Sequence, residues 1–389
     1  MEPSVRSTRS VIDMEGVAQL IASLQRRGYE VVGPTLRDGA ITYEILNKLE
    51  DLPAGWSDEQ AAGRYRVKKQ AGGALFGYTV GLQSWKKFLH PAEVSLLEVQ
   101  RDGGKFRILN NHSAPARYAF LGVRACELAA IAVQDRVLLD GKFTDSHYAD
   151  RRRNLFVVAV HCTQAGANCF CASMQTGPRA QKGFDLALTE IADGGHQVYV
   201  VEVGSEAGAE VLRDLHASQA SAELCRQADE AVQRASLQTH RMDTAGIRDL
   251  LYESFDHAEW ENVAARCLSC ANCTMVCPTC FCTTVDDSSD VTGEHAGRWR
   301  RWDSCFTQAF SYIHGGSVRT SSKSRFRQWM THKLASWIDQ FGISGCVGCG
   351  RCITWCPVGI DITEEVRAIR GNGANLAPVT KGDDVHGLT

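Results

Sequence analysis

Two cysteine motifs with the same spacing lie in the last third of the 389-residue sequence. Each has three cysteines separated by two residues, a fourth cysteine after three more residues, and then a proline. The first motif contains Cys267, Cys270, Cys273 and Cys277. The second motif contains Cys346, Cys349, Cys352 and Cys356. This C-x2-C-x2-C-x3-C spacing lets a tight loop place three soft thiolates around one face of a [4Fe–4S] cluster, while the fourth points away.

In two-cluster ferredoxins the fourth cysteine of each motif binds the other motif's cluster. If ligands are exchanged in that way here, one cluster is bound by Cys267, Cys270, Cys273 and Cys356. The other is then bound by Cys346, Cys349, Cys352 and Cys277. The alternative metal is zinc, which also binds CxxC pairs, but zinc sites take their four ligands as two separated pairs. The repeated three-plus-one pattern therefore favours two [4Fe–4S] clusters.

Four further cysteines lie far from the motifs in sequence. Cys126 follows the apolar run YAFLGV, Cys162 follows NLFVVAV, and Cys169 and Cys171 lie in the next loop. Because the carboxyl ends of parallel strands meet at one edge of a sheet, these four thiols are expected to converge. They are predicted to bind a third [4Fe–4S] cluster; a structural zinc ion and four buried thiols are the alternatives.

A smaller group of residues could influence the clusters without binding iron. Cys280, Cys282 and Cys305 lie near the first motif in sequence. They either donate hydrogen bonds to cluster sulfurs or fill the core, and core packing is the favoured interpretation. Arg351 lies inside the second motif. A cation there would stabilise the reduced cluster and raise its potential, unless Arg351 is a solvated surface residue.

Composition supports a metal or redox use for the 16 cysteines. The N-terminus MEPSVRSTRS has no apolar signal region, and the longest apolar runs are too short to span a bilayer. A cytoplasmic protein without a membrane span is therefore expected, and disulfides do not persist in that compartment. A net charge of −3 gives no reason to expect nucleic acid as a partner.

The N-terminal half has the pattern of an α/β domain. Residues 13–27 place apolar side chains on one helical face before Gly28, and Asp38 and Gly39 suit the turn of a β-hairpin. The apolar runs at 118–123, 154–160 and 197–203 alternate with the helical patterns CELAAIAVQDRVLL and FDLALTEIA. This alternation predicts helices packed on a largely parallel sheet.

Four segments are predicted along the chain. They are an α/β domain with a possible third cluster (1–204), a helical bridge (205–262), a mainly α-helical two-cluster ferredoxin-like domain (263–370) and a flexible tail (371–389). Within the third segment, SRFRQWMTHKLASWIDQFG has an apolar stripe from Phe326 to Phe341 and a stop at Gly342. This stripe predicts a core helix that shields the clusters.

Several stretches together resemble one known family. They are GVRACELAAI, CFCASMQTGP, GFDLALTE, VEVGSE, CLSCANCTMVCPTCFC, RFRQWMTHKL and GCVGCGRCITWCPVGIDIT. The chain resembles, over about residues 30–370, the beta, iron–sulfur subunit of cytosolic [NiFe]-hydrogenases of the sulfhydrogenase type. The corresponding iron–sulfur subunits of anaerobic sulfite reductases form a similar sibling family.

The resemblance implies a subunit that relays electrons and is not catalytic by itself. Its implied partners are a flavin/[2Fe–2S] subunit that binds NAD(P)H and a catalytic module, either the small and large hydrogenase subunits or a sirohaem sulfite reductase subunit. The sequence has no G-x-G-x-x-G, P-loop or H-E-x-x-H motif, which agrees with this division of labour. An iron–sulfur redox sensor and a metal-stapled scaffold are the alternatives from other functional classes.

Overall fold

The computed structural model describes residues 9–79, 81–109, 116–193 and 195–371, so the tail predicted over 371–389 lies outside the described residues apart from Gly371. The strands are β1 (Ser10–Asp13), β2 (Glu30–Arg37), β3 (Ala40–Ile45), β4 (Trp56–Ala61), β5 (Arg64–Lys69), β6 (Glu93–Asp102), β7 (Lys105–Leu109), β8 (Tyr118–Val123), β9 (Phe156–Val160), β10 (Leu186–Asp193), β11 (His196–Val203), β12 (Ser218–Gln219), β13 (Thr283–Ser289), β14 (His295–Trp302), β15 (Tyr312–Ile313) and β16 (Gly316–Ser317).

The helices alternate with strands in the first half and predominate in the second. They are α1 (Met14–Arg26), α2 (Lys86–Leu89), α3 (Ala125–Leu138), α4 (Ser146–Arg153), α5 (Glu206–Arg213), α6 (Ala222–Ser236), α7 (Ile247–Glu253), α8 (Glu259–Arg266), α9 (Asn272–Met275), α10 (Ser322–Thr331), α11 (Trp337–Phe341), α12 (Arg351–Thr354) and α13 (Ile362–Arg370). A π-helical turn, His332–Ser336, joins α10 to α11. None of the helices in these ranges is long and apolar enough to cross a membrane.

The first helix and hairpin form where the sequence predicts them. The Asp13 carboxylate caps α1 by accepting a hydrogen bond from the Gly16 N–H, and the apolar face of the helix is buried. Strands β2 and β3 pair around Asp38 and Gly39, whose φ angles are 50° and 73°. These positive angles are the ones that a tight hairpin turn requires.

An eight-stranded sheet forms the N-terminal core, in the order β12-β1-β11-β10-β9-β8-β2-β3. The neighbouring pairs from β10 to β2 are parallel, and antiparallel strands flank them on both sides. Helices α1 and α5 pack on one face, and α3, α4 and α6 pack on the other. The predicted α/β architecture is confirmed, but the sheet is mixed and not largely parallel.

The segment FDLALTEIA, predicted as a helix, forms strand β10 instead. Leu186, Ala187, Leu188 and Thr189 are all fully buried, because helices cover both faces of the sheet at this strand. A strand buried on both faces has no alternation of apolar and polar residues, so its pattern is ambiguous with that of a helix.

The C-terminal part is also less helical than predicted. Strands β13 and β14 form a hairpin inside residues 283–302, and β14 pairs with β6 of the N-terminal half in the sheet β13-β14-β6-β7. These strands carry polar side chains; for example, Arg298 donates a hydrogen bond of 2.7 Å to Asp287 on the neighbouring strand. Because the strands are exposed, their sequence lacks the apolar alternation that identifies a half-buried strand.

The helices of residues 206–266 pack in two directions. Helices α5 and α6 lie on the large sheet, whereas α7 and α8 pack against α10, α13 and the π-helical turn. The division of the chain into three domains and a tail stays a prediction.

Leu188 provides a test of the reassigned strand. We expect Leu188→Ala to lower the free energy of unfolding by about 2–5 kcal/mol, because the side chain is fully buried between neighbours that cannot close the cavity. Ile45→Ala in β3 is the control, since Ile45 is 53% exposed, and we expect a change of less than about 0.5 kcal/mol. Urea unfolding followed by circular dichroism measures both. Equal losses in the two variants would contradict the central position of β10.

Candidate metal centres

The two cysteine motifs fold into loops with the same backbone shape. The residues on either side of the second cysteine are left-handed in both loops: Ser269 and Ala271 have φ angles of 51° and 65°, and Gly348 and Gly350 have angles of 65° and 76°. A short helix, α9 or α12, then carries the third cysteine. Two left-handed residues turn the chain sharply, so that the first three cysteines of each motif reach the same cavity.

The outer site is a cavity of about 460 Å³, part of it open to solvent. Its thiols are Cys267, Cys270, Cys273 and Cys356, and Cys352 also reaches it. Phe306, Phe326 and Trp329 form an apolar floor. Cys270 is exposed, and its neighbour Leu268 is 63% exposed, so this site reaches the protein surface.

The inner site is a pocket with about 330 Å³ of empty space, part of it open to solvent. Its thiols are Cys277, Cys346, Cys349 and Cys352. Lys333, Thr279 and Phe170 also line it. The structure thus brings together the two sets of four thiols that ligand exchange between the motifs requires; the ligand assignment itself stays a prediction.

The third site lies at the carboxyl ends of β8 and β9. Cys126, Cys162, Cys169 and Cys171, predicted to converge, all line one cavity of about 310 Å³. The Gln238 amide donates a hydrogen bond of 3.1 Å to Cys171 Sγ, and the Arg124 guanidinium lies 3.9 Å from Cys162 Sγ.

The donor sets fit a cluster of several atoms. Five thiols line the outer cavity and four line each of the other two; thiolates are the soft ligands that iron–sulfur clusters take. In the described ranges, no group of three Cys, His, Asp or Glu side chains is close enough to share one metal ion. A zinc site needs four sulfurs about 2.3 Å from one point, whereas these thiols surround cavities.

The inner and third sites lie back to back. An added Cβ would lie 2.6 Å from the backbone of Phe170 at Gly348, and 2.4 Å from the backbone of Asn168 at Gly350. The Phe170 N–H donates a hydrogen bond of 2.8 Å to the Gly348 carbonyl. Only glycine fits so close to another backbone. The second motif and the loop with Cys169 and Cys171 are therefore in direct contact.

Charge around the inner site favours a thiolate at Cys277. A hydrogen bond from Cys280 outweighs burial and, with the Lys333 ammonium, holds the pKa of Cys277 well below its usual value. Burial lowers the pKa of Lys333, but the charges of the nearby cysteines outweigh burial, and the pKa is raised. Burial raises the pKa of Cys171 and Cys346 to about 12. Because thiols must lose protons to bind iron, filling these sites releases protons.

Arg351 is fully buried, so the solvated alternative is wrong. It forms an ion pair with Glu127, whose carboxylate also accepts hydrogen bonds of 3.0 Å from the Tyr43 hydroxyl and the Trp85 indole. Nε and Nη2 of Arg351 donate to the backbone oxygen of Gln83. Glu127 follows Cys126 in sequence, so this pair connects the second motif to the helix that carries a cysteine of the third site.

The remaining cysteine group lies beside the sites and not in their walls. Cys280 hydrogen-bonds to Cys277, and Cys282 hydrogen-bonds to Cys305; each of these three extra cysteines is partly buried. The hydrogen bond from Cys305 lowers the pKa of Cys282 to about 7, although burial opposes it. Their influence on cluster potential stays a prediction.

Sequence reasoning missed Lys333, Gln238 and Glu127. For Lys333 a signal existed, because it lies four residues after Trp329 and four before Trp337, on the apolar stripe. Most of that stripe is buried, as predicted, and Ile338 and Phe341 are partly buried. It lies on α10, a π-helical turn and α11, which ends at Phe341 with Gly342 as its cap. A lysine on such a face requires a buried partner. Gln238 lies far from any motif and carries no comparable signal.

Comparison with known proteins supports [4Fe–4S] clusters in the region of the two cysteine motifs. Residues 266–360 match the model of the 4Fe-4S dicluster domain family. The chain is 29% identical over 333 residues to the sulfhydrogenase 2 subunit beta of Pyrococcus furiosus. This alignment covers 83% of the present chain and 95% of that protein. No solved structure gives a significant match.

Gly348 provides a test of the contact between the inner and third sites. We expect Gly348→Ala to lose at least half of the iron of both sites, because its Cβ would lie 2.6 Å from the Phe170 backbone. Gly342→Ala is the matched control: its φ of 69° is similar, but an added Cβ meets nothing within 4 Å. Both substitutions strain a left-handed residue. Iron and acid-labile sulfide per chain distinguish them, and equal losses would contradict the contact.

The buried Glu127 carboxylate is expected to stabilise the fold through Arg351. Glu127→Gln leaves the guanidinium buried without a countercharge, and we expect a loss of about 3–5 kcal/mol in the free energy of unfolding. Glu230→Gln, which breaks an exposed pair with Arg226, is the control, with an expected loss of less than about 1 kcal/mol. Urea denaturation measures both. A Glu127→Gln loss no larger than the control's would contradict this role.

Proposed function

Since the chain resembles the beta subunit of a sulfhydrogenase along most of its length, we propose that it is an electron-transfer subunit of a cytoplasmic hydrogenase complex. It relays electrons between a flavin/[2Fe–2S] subunit that binds NAD(P)H and the small and large [NiFe] subunits. The interconversion of H2 with two protons and two electrons then occurs in the partners. A sirohaem sulfite reductase as the partner is less favoured, because the matched relative is a hydrogenase subunit.

One observation carries this proposal: the three four-cysteine sites adjoin each other in a row. Cys352 lines both the outer and the inner cavity. Cys349 of the inner site packs in one apolar cluster with Cys126 and Cys171 of the third site. Bound [4Fe–4S] clusters would supply one-electron chemistry at each position. A scaffold would need no such alignment of separate thiol sites.

The protein residues around the sites suit this role. Aromatic and aliphatic side chains pack around the outer and inner sites and limit their contact with water, and exposure to water is one of the factors that set cluster potential. Cys126, Cys169, Cys171, Cys277 and Cys349 are buried, whereas Cys270 is exposed at one end of the row.

The row has a second opening at the third site. Gln164 and Ala165 are exposed and line both that cavity and a polar cleft of about 920 Å³ bounded by β4, β5 and the loop after Cys162. Two separate openings are what a relay between two partner subunits needs. We therefore assign one partner to each end, without assigning a direction of flow.

The decisive measurement is iron, zinc and acid-labile sulfide per chain, with EPR spectra after dithionite reduction, on anaerobically purified protein. We expect about twelve iron per chain and no zinc. Replacing Cys162, Cys169 and Cys171 by serine is expected to remove about four of these iron atoms. Cys225→Ser is the control, because Cys225 lies on α6 away from the three cavities, and it leaves the iron content unchanged.

Two results would contradict the proposal at different levels. If the wild-type protein contains about eight iron atoms per chain and the triple serine variant retains them all, a cluster at the third site is excluded. The protein would then bind two clusters. Zinc without iron, in colourless protein that dithionite does not change, would exclude electron transfer altogether.

A further inference from the structure

Lys333 is a buried lysine inside the wall of the inner site. The side chain of Lys333 donates hydrogen bonds of 3.1 Å to Cys277 Sγ and 3.0 Å to Thr279 Oγ1. The residue is 5% exposed and lines the same cavity as the four inner thiols. Among the described residues, no carboxylate lies within ion-pair distance of its ammonium group.

The helix is locally distorted at this residue. The Trp337 N–H bonds to the His332 carbonyl five residues earlier, as in a π-helix, and not to Lys333. The Lys333 carbonyl instead accepts hydrogen bonds of 2.8 Å from the Gly345 N–H and 3.2 Å from the Ser344 hydroxyl. Such π-turns are frequent at functional sites. Lys333 thus contacts the end of the first motif with its side chain and the start of the second with its backbone.

The other cations near the sites are arranged differently. Arg351 also bonds to a thiol of the inner site, Cys349, but the Glu127 carboxylate balances its charge. Arg124 donates to the Phe76 and Tyr78 carbonyls and lies 3.9 Å from Cys162 Sγ. Lys86, also buried, donates to the Cys280 carbonyl and lies over the Trp302 ring. Lys333 combines a short contact to a cavity thiol with the absence of a carboxylate partner.

We propose that the positive charge of Lys333 raises the reduction potential of a [4Fe–4S] cluster bound by the inner site, by stabilising the form that has gained one electron. The inference rests on the proposed function, because it requires a cluster at that site. Added negative charge close to a buried cation is stabilised strongly, since the surrounding dielectric screens it little. Lys333 is thereby a tuning residue that acts through Cys277, and it binds no iron itself.

The test is a reductive EPR titration of the holoprotein, in which dithionite supplies the electron. The inner-site signal is identified by its loss in Cys349→Ser. At the potential that half-reduces this site in the wild-type protein, we expect Lys333→Met to lower the ratio of reduced to oxidised cluster at least tenfold, which is about 59 mV for one electron. Lys333→Arg, which keeps the charge, is expected to change the ratio less than threefold.

Lys86→Met is the matched control: it removes another buried lysine whose ammonium donates to the Cys280 carbonyl and not to a cavity thiol, so its more distant charge is expected to change the ratio less than threefold. If Lys333→Met loses the inner cluster, the same titration is made on Lys333→Gln, which is neutral but whose amide can still donate a hydrogen bond. An unchanged ratio in the neutral variants, or an equal change in Lys333→Arg or Lys86→Met, would overturn the role of Lys333. Wild-type protein without iron would instead overturn the proposed function.

Discussion

The close contact between two loop backbones is the constraint on which the arrangement of sites depends. At Gly348 and Gly350 the second cysteine motif lies flat against Asn168 and Phe170, where any Cβ would collide. This contact brings Cys349 into the same apolar cluster as Cys126 and Cys171. It joins segments almost 180 residues apart in the chain, and through it the strand ends of the N-terminal sheet become one wall of the cysteine-rich region.

The many buried thiols lie near buried cations and hydrogen-bond donors. Thiolates in an apolar interior are costly unless positive charge or hydrogen-bond donors are near. Lys333 and Cys280 hydrogen-bond to Cys277, and the Gln238 amide hydrogen-bonds to Cys171. The Arg124 guanidinium lies beside Cys162. Arg351 also bonds to the Cys349 thiol, but Glu127 balances its charge, and this pair connects helix α3 to the second motif; the effect of Arg351 on cluster potential stays a prediction.

The sequence was most informative where chemistry or backbone geometry restricts residue type. The spacing of the cysteines predicted which thiols group around the outer and inner cavities, because cluster ligation allows few spacings. The positions of strand ends predicted the four thiols of the third cavity, because sheet topology brings those ends together. Strand β10 was misread because burial on both faces removes alternation, and the exposed hairpin of β13 and β14 had no apolar pattern at all. Gln238 could not be predicted, since its contact with Cys171 depends on packing between distant segments.

The pairing of β14 with β6 determines how late in synthesis the small sheet can form. The small sheet stays incomplete until residues about 200 positions beyond β6 have left the ribosome, and the lining of the inner site extends as far along the chain as Ile362. Such distant pairings close slowly, because the intervening chain must first be ordered. The inner site can therefore form only after nearly the whole chain has been synthesised.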